Sequence, residues 1–315
     1  MQHLIAATIE NGPAAARTKP GLIDRTAAPV PLRPAPPRNF FNNRFVYLVI
    51  SQRTHGLSIG INLNPDRLCN FDCSYCEVDR TGAAPAGRLD CAVMSDELRR
   101  MLAAVDDGEI AALPEYRAVP KELLVLKAVA LSGDGEPTLC PNFAEVVESI
   151  IHVRAEQRIF FKLILISNAT GLHLPEVQRG LEQFSGEDEL WLKLETGTQE
   201  AMDRINRPVG SPLKNPPPTL GLAMHNILAI GRKRPVVIQS LFPMIKGEAP
   251  TDTEIDGYIE RLRELKQGGC QISLVQIYSA HRSPVNPKCG HLPLRILSDI
   301  ARRVRTSTGL KAEVF

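Results

Sequence analysis

No apolar run in this sequence approaches the ~18 residues of a membrane span; the longest, such as Phe45 to Ile50 and Ala128 to Leu131, stop far short. No apolar segment follows the N-terminus, so a signal peptide is not expected. A charge surplus is also missing, with 37 basic residues against 35 acidic ones in 315, and that balance selects neither a polyanion nor a membrane partner. The local exception is residues 1–60, where Arg17, Lys19, Arg25, Arg33, Arg38, Arg44 and Arg53 face only Glu10 and Asp24; a solvated tail is the expected reading. No internal repeat is visible. Four of the seven cysteines, Cys91, Cys140, Cys270 and Cys289, lack any C-x2-C spacing and read as small buried hydrophobes. A membrane protein, a coiled coil and a disulfide miniprotein are excluded. Cysteines without an export signal point to reduced thiols in a cytoplasmic protein, used for metal binding or chemistry.

What is present has a clear order. Ala27 to Arg38 holds five prolines in twelve residues, which removes amide donors and favours extended chain. Residues 1–44 are therefore expected to form a flexible Pro/Ala-rich leader, with a single catalytic domain over 45–315. Beyond the leader, short β-branched runs recur at Leu57–Leu63, Leu126–Leu131, Phe160–Ser167, Leu190–Glu195, Val236–Leu241 and Ile272–Tyr278. They are apolar on both faces, as parallel strands covered on both sides should be. Between them lie helical patterns: one from Ser95 with Leu98, Met101, Leu102 and Val105 on its buried face, and one begun by Asn142 with Glu145 at N3 and Val146, Val147, Ile150 and Ile151 inside. A third is announced by the capping box Thr251-x-x-Glu254 ahead of Ile255, Tyr258, Ile259 and Leu262, and the last is marked by Leu294, Leu297, Ala301 and Val304. Six strands alternating with helices predict an α/β fold, a partial (β/α)6 barrel that is open and TIM-like, with a Pro-rich N-terminal extension. Reactive groups should gather beyond the C-terminal ends of the strands.

One cluster of residues carries chemistry on its face. Cys69-Asn-Phe-Asp-Cys73-Ser-Tyr-Cys76 follows the first parallel strand with C-x3-C-x2-C spacing. Three thiolates within eight residues can converge on an iron–sulfur cluster, and soft sulfur suits iron–sulfur or zinc over magnesium. Structural zinc normally takes a fourth Cys or His, and none lies close by. Three ligands for four irons leave one iron open.

The triplet resembles the signature of the radical S-adenosylmethionine (SAM) enzymes, with Tyr75 in the aromatic slot before the third cysteine. The resemblance implies a [4Fe–4S] cluster on Cys69, Cys73 and Cys76. It also implies SAM chelated at the open iron, and reductive cleavage to a 5′-deoxyadenosyl radical that abstracts a substrate hydrogen. The second strand runs into Gly133-Asp134-Gly135-Glu136-Pro137, similar to the Gly-Gly-Glu-Pro motif that binds the SAM amino group in that superfamily, with Asp134 where the first glycine usually stands. Asn168 ends the third strand, where polar side chains reach the nucleoside. Lys193 and Glu195 end the fourth, where they are expected to meet the SAM carboxylate and ribose. Gln239, Gln276 and Tyr278 alternate with apolar neighbours on the last two strands and are weaker candidates for substrate contact. His281-Arg282 and Lys288–His291 read as a loop.

The strings Ser132–Leu139, Trp191–Thr198 and Arg204-Ile-Asn-Arg-Pro208 are most similar to the subgroup related to wyosine-type tRNA-guanosine-modifying radical SAM proteins. That family's additional N-terminal cluster and its pyruvate-holding lysine have no counterpart here, since no cysteine precedes Cys69 and no lysine lies between Lys19 and Lys121. Wyosine formation is not expected. The resemblance implies an electron donor, flavodoxin- or ferredoxin-like, and an RNA or peptide substrate. Two other readings stand beside it: an activating enzyme that makes a glycyl radical on a partner protein, and a non-catalytic iron–sulfur or zinc scaffold.

Overall fold

Alternating apolar strands and amphipathic helices fold here into one mostly parallel sheet with its helices packed outside. The computed structural model describes residues 40–81, 87–157, 160–210, 216–280 and 282–315; the Pro-rich stretch up to residue 39 and His281 lie outside them. Strands β1 (Val46–Ser51) and β2 (Gly56–Asn62) form an antiparallel hairpin. There follow β3 (Leu126–Ser132), β4 (Lys162–Ser167), β5 (Glu189–Lys193), β6 (Val236–Leu241), β7 (Pro243–Ile245), β8 (Ile272–Tyr278), β9 (Cys289–His291) and β10 (Ala312–Val314). The main sheet has the order β1-β2-β3-β4-β5-β6-β8-β10, and every pair after the first is parallel.

The six strands expected from the sequence are β2, β3, β4, β5, β6 and β8, side by side in chain order. Two further strands flank them: β1 adds an antiparallel edge, and three-residue β10 is too short to give a periodic signal. Between strands run α1 (Cys91–Asp106), α2 (Phe143–Glu156), α3 (Pro175–Leu181), α4 (Gln199–Ile205), α5 (Leu220–Gly231), α6 (Asp252–Gln267) and α7 (Leu294–Thr308). Among the described residues, no helix is long and apolar enough to cross a membrane.

The strand faces divide the core. Ile59, Ile61, Val129, Leu131, Leu163, Leu165, Leu190, Leu192, Val275 and Ile277 join the helices in the large outer cluster. Ala128, Ala130, Ile164, Trp191 and Val237 form a smaller cluster on the inner face. Each Leu or Ile so buried contributes about 1.5–3 kcal/mol. The sheet curls far enough for its edges to meet. The His55 ring, in the β1–β2 turn, lies 6.2 Å from that of Phe315 after β10, and the Arg53 guanidinium lies 4.6 Å from the Tyr278 ring.

Helix starts differ from the sequence reading where side chains compete for caps. α1 begins at Cys91, not Ser95, because the Asp90 side chain accepts from Val93 N–H and caps it. Ser95 is then one turn inside, and buried Glu97 accepts the N–H groups of Arg44, Phe45 and Val46 at the start of β1. Asn142 does precede α2, but its Oδ1 accepts from Leu89 N–H instead of capping. The α6 capping box forms as expected. Val105 and Ile151 are only half-buried, and Leu294 is 66% exposed, so these three leave the expected core. Phe40 packs on the Tyr116 ring with centroids 6.0 Å apart, so packed structure already begins there. Part of the stretch read as a loop after β8 is a strand, since β9 pairs antiparallel with β7.

Candidate active site

The three cysteines of the triplet sit on one loop after β2, and that loop is tied to the segments after β3 and β4, to the end of α4 and to the loop after β8. Leu68 O accepts from Glu136 N–H (3.0 Å), Ser74 N–H donates to Ile205 O (2.8 Å), and Val285 N–H donates to Cys76 O (2.8 Å). Asn70 Nδ2 donates to Thr170 Oγ1 and Asn70 Oδ1 accepts from Asn168 Nδ2, both at 2.8 Å. These bonds fix the backbone that carries the thiols.

Each sulfur faces an N–H donor. Phe71 N–H lies 3.4 Å from Cys69 Sγ, Asn206 Nδ2 lies 3.9 Å from Cys73 Sγ, and Arg80 Nη1 lies 3.0 Å from Cys76 Sγ. Donors of this kind around ligating sulfurs tune iron–sulfur centres. Burial pushes the Cys69 thiol up to about 11, although Arg80 opposes it. Burial, with Glu195 nearby, raises Cys73 further. Among the described residues, no group of three or more His, Cys, Asp or Glu side chains is placed to hold a metal ion. Three soft thiol donors on one loop, each faced by an N–H group, fit an iron–sulfur cluster by their chemistry.

The turn after β3 packs beneath this loop. Gly133 has φ of +139°, and a Cβ there would overlap Asn62; at Gly135 a Cβ would overlap Leu68 O. Asp134 needs no such freedom: its N–H donates to Asn62 Oδ1 (3.0 Å) and its Oδ2 accepts from Asn62 Nδ2 (2.8 Å). That explains why aspartate fits where a glycine is usual. Glu136 is buried and braces two strands. Its Oε1 accepts from Thr138 N–H (3.1 Å), Thr138 Oγ1 (2.7 Å) and Ser167 Oγ (2.6 Å), and its Oε2 from Asn168 N–H (2.8 Å). Burial raises its pKa and these donors act against the rise.

A second network lies across the mouth of the curved sheet. The Glu195 carboxylate accepts from Tyr75 OH and Asn206 Nδ2 at Oε2, and pairs with Lys193 Nζ at Oε1, 2.9 Å away. The Lys193 ammonium also lies 5.1 Å from the Tyr75 ring and 3.3 Å from Tyr278 OH. Burial alone would lower the Lys193 pKa, but Glu195, Tyr278 and Cys73 outweigh it and hold the amine charged. Burial raises Tyr75, keeping its phenol protonated.

Cys73, Tyr75, Lys193 and Glu195 thus share one network, while Glu136 and Asn168 share another that reaches the thiol loop through Asn70. Cys91 and Cys140 stand apart on either side of the Asn142 amide, each 3.5 Å from it. Cys289 packs with Tyr75 and Tyr278, and Cys270 lies in the outer core. The sequence reading missed Asn62, Asn70, Arg80 and Asn206. Asn70 lies inside the triplet and Asn206 inside the Arg204–Pro208 string, so position was a signal for both; Asn62 and Arg80 carried none.

No family model matches the chain. UPF0026 proteins are similar to it: that of Helicobacter pylori is 25% identical over 171 residues, 53% of this chain and 47% of the relative, and that of Synechocystis sp. is 29% identical over 166 residues, 52% and 53% respectively. The matches thus span about half the length of these relatives. A solved structure of TYW1 with a lysine–pyruvate adduct bound superposes with a TM-score of 0.51 at 17% identity, covering 82% of this chain and 75% of that one. The likeness is one of fold alone: an α/β architecture with a mostly parallel central sheet.

Proposed function

We propose that this chain is a radical SAM enzyme in a partial (β/α)6 barrel. Cys69, Cys73 and Cys76 would hold a [4Fe–4S] cluster, with SAM against the Gly133–Glu136 turn, Asn168, Lys193, Glu195 and Tyr75. The observation that carries the reading is three thiols, each faced by an N–H donor, on a loop anchored at the C-terminal ends of parallel strands. When bound, the cluster supplies the electron that cleaves the SAM sulfonium, giving a 5′-deoxyadenosyl radical that takes a hydrogen from the substrate. The chain's own residues do the rest. Arg80 offsets thiolate charge, and the glycines let backbone come close to the ligand. Glu136 offers a carboxylate oxygen with only one donor to an amino group. Lys193 stays charged and can meet a carboxylate while shared with Glu195, which also holds Tyr75 and Asn206 in place.

The reading includes an RNA or peptide as hydrogen donor and a flavodoxin- or ferredoxin-like reductant. Its test is anaerobic loading with iron and sulfide, followed by electron paramagnetic resonance of the reduced protein with and without SAM. The expected result is a [4Fe–4S] signal that SAM perturbs and that each of Cys69→Ala, Cys73→Ala and Cys76→Ala abolishes. Stoichiometric zinc, or a cluster blind to SAM, would overturn it. Label transfer from deuterated candidate substrates into 5′-deoxyadenosine then identifies the hydrogen donor.

A further inference from the structure

The inner face of β5, β6 and β8 is built in layers fixed by strand register. Trp191, Val237 and Leu274 lie level, Lys193, Gln239 and Gln276 lie level above them, and Leu241 and Tyr278 lie level above those. Arg53 comes from the opposite edge of the sheet, in the β1–β2 turn. Its guanidinium lies 5.9 Å from the Trp191 ring of the first layer and 4.6 Å from the Tyr278 ring of the third. The cation is thereby held level with the middle layer.

Among the described residues no ion pair or hydrogen bond of the Arg53 guanidinium is found, and Glu195 is paired with Lys193. In the middle layer a donor is also unused. Gln276 is 2% exposed, and its amide is bonded to that of Gln239 at 3.2 Å. Gln239 Nε2 donates to Gln276 Oε1 in that bond, and for Gln276 Nε2 no partner is found among the described residues. A cation stacked on rings and an N–H2 without a partner both gain from an acceptor. A planar guanidinium with an amide donor beside it is a donor set for an oxyanion.

We propose that Arg53 and the Gln239–Gln276 amide pair form an oxyanion subsite inside the curved sheet, walled by Trp191 and Tyr278, which takes a carboxylate or phosphate group of the substrate. That this ligand is the substrate rests on the radical SAM reading; that the subsite binds an oxyanion does not.

Trp191 is the only tryptophan of the chain, so its emission reports on the subsite directly. The full chain, without added iron, is titrated with inorganic phosphate and separately with acetate, against chloride at matched ionic strength. The expected result is a saturable change in emission with at least one oxyanion. Affinity should fall about tenfold or more in Arg53→Gln and in Gln276→Leu, as loss of a charge-assisted bond implies, with partial retention in Arg53→Lys. Response to phosphate alone assigns a phosphate group, and response to acetate assigns a carboxylate. No saturable change beyond chloride, or an unchanged titration in a folded Arg53→Gln or Arg53→Lys protein, overturns the subsite. Because no cluster is needed, this result stands apart from any failure of the radical SAM reading.

Discussion

Arg80 reaches back four residues to place Nη1 3.0 Å from the sulfur of Cys76, while its Nη2 donates to the carbonyl oxygen of Asp134 at 3.1 Å. One side chain thus ties the thiol loop to the glycine turn. Burial works against its charge, but Cys76 and Cys69 more than restore it. A charge-assisted bond of this kind contributes about 1.5–3 kcal/mol. Arg80→Gln is expected to hold less iron after anaerobic loading and to show a more negative midpoint potential, because a nearby cation favours the reduced cluster. Arg80→Lys should recover part of both. Unchanged iron content and potential in Arg80→Gln would remove it from the site.

Glu136 joins two strands through four donors on one carboxylate. Glu136→Ala orphans them in a buried place, at a cost of about 3 kcal/mol or more. Glu136→Gln, which keeps an acceptor, should cost less. Urea unfolding separates these structural losses from SAM affinity, which is expected to fall in both variants. SAM affinity equal to wild type in Glu136→Gln would show that the carboxylate charge is not read.

At Gly135 a Cβ would collide with backbone, the Leu68 carbonyl, whereas at Gly186 it would meet open space. Gly135→Ala should therefore lose about 1–3 kcal/mol through a forced backbone shift and disturb the thiol loop. Gly186→Ala should leave both stability and iron binding within error. Denaturant midpoints and iron content of the pair check the contrast.

Asp188 is fully buried and pairs with Arg154 at 2.7 Å, while Leu163 N–H (2.7 Å) and Ser185 N–H (2.8 Å) also donate to it. Burial alone would raise its pKa, but Arg154 and these N–H groups outweigh burial and hold it below the usual carboxylate value. A depressed folded pKa gives stability that is fully present above the unfolded value of ~3.9 and declines as the pH falls through the lower folded value. Asp188→Ala should cost about 3–5 kcal/mol at pH 7, and the difference from wild type should shrink as the pH drops below 4. A difference that holds constant from pH 7 to pH 3 would contradict the assignment.

The strand core was legible because its signal is local: β2 to β6 and β8 are short β-branched runs, and the triplet and glycine turn follow β2 and β3 directly. The edges were not, because β10 is three residues long and β1 needs a partner to be read as a strand. The α1 start was misplaced because Asp90, not Ser95, supplies the cap. Of the side chains that complete the site, Asn206 lies in a string the sequence singles out but meets Cys73 and Glu195 only in the fold, and Arg80, four residues after Cys76, follows no spacing rule. Arg53 was read as part of a solvated basic tail; only the curl of the sheet brings it over Tyr278.

The central claim is that Cys69, Cys73 and Cys76 assemble a centre that cleaves SAM. The direct measurement is formation of 5′-deoxyadenosine and methionine, by mass spectrometry, when the anaerobically loaded protein is reduced with dithionite in the presence of SAM. The account predicts both products from wild type and neither above background from Cys73→Ala. Loaded and reduced wild-type protein that leaves SAM intact, or Cys73→Ala that cleaves it at the wild-type rate, would contradict it.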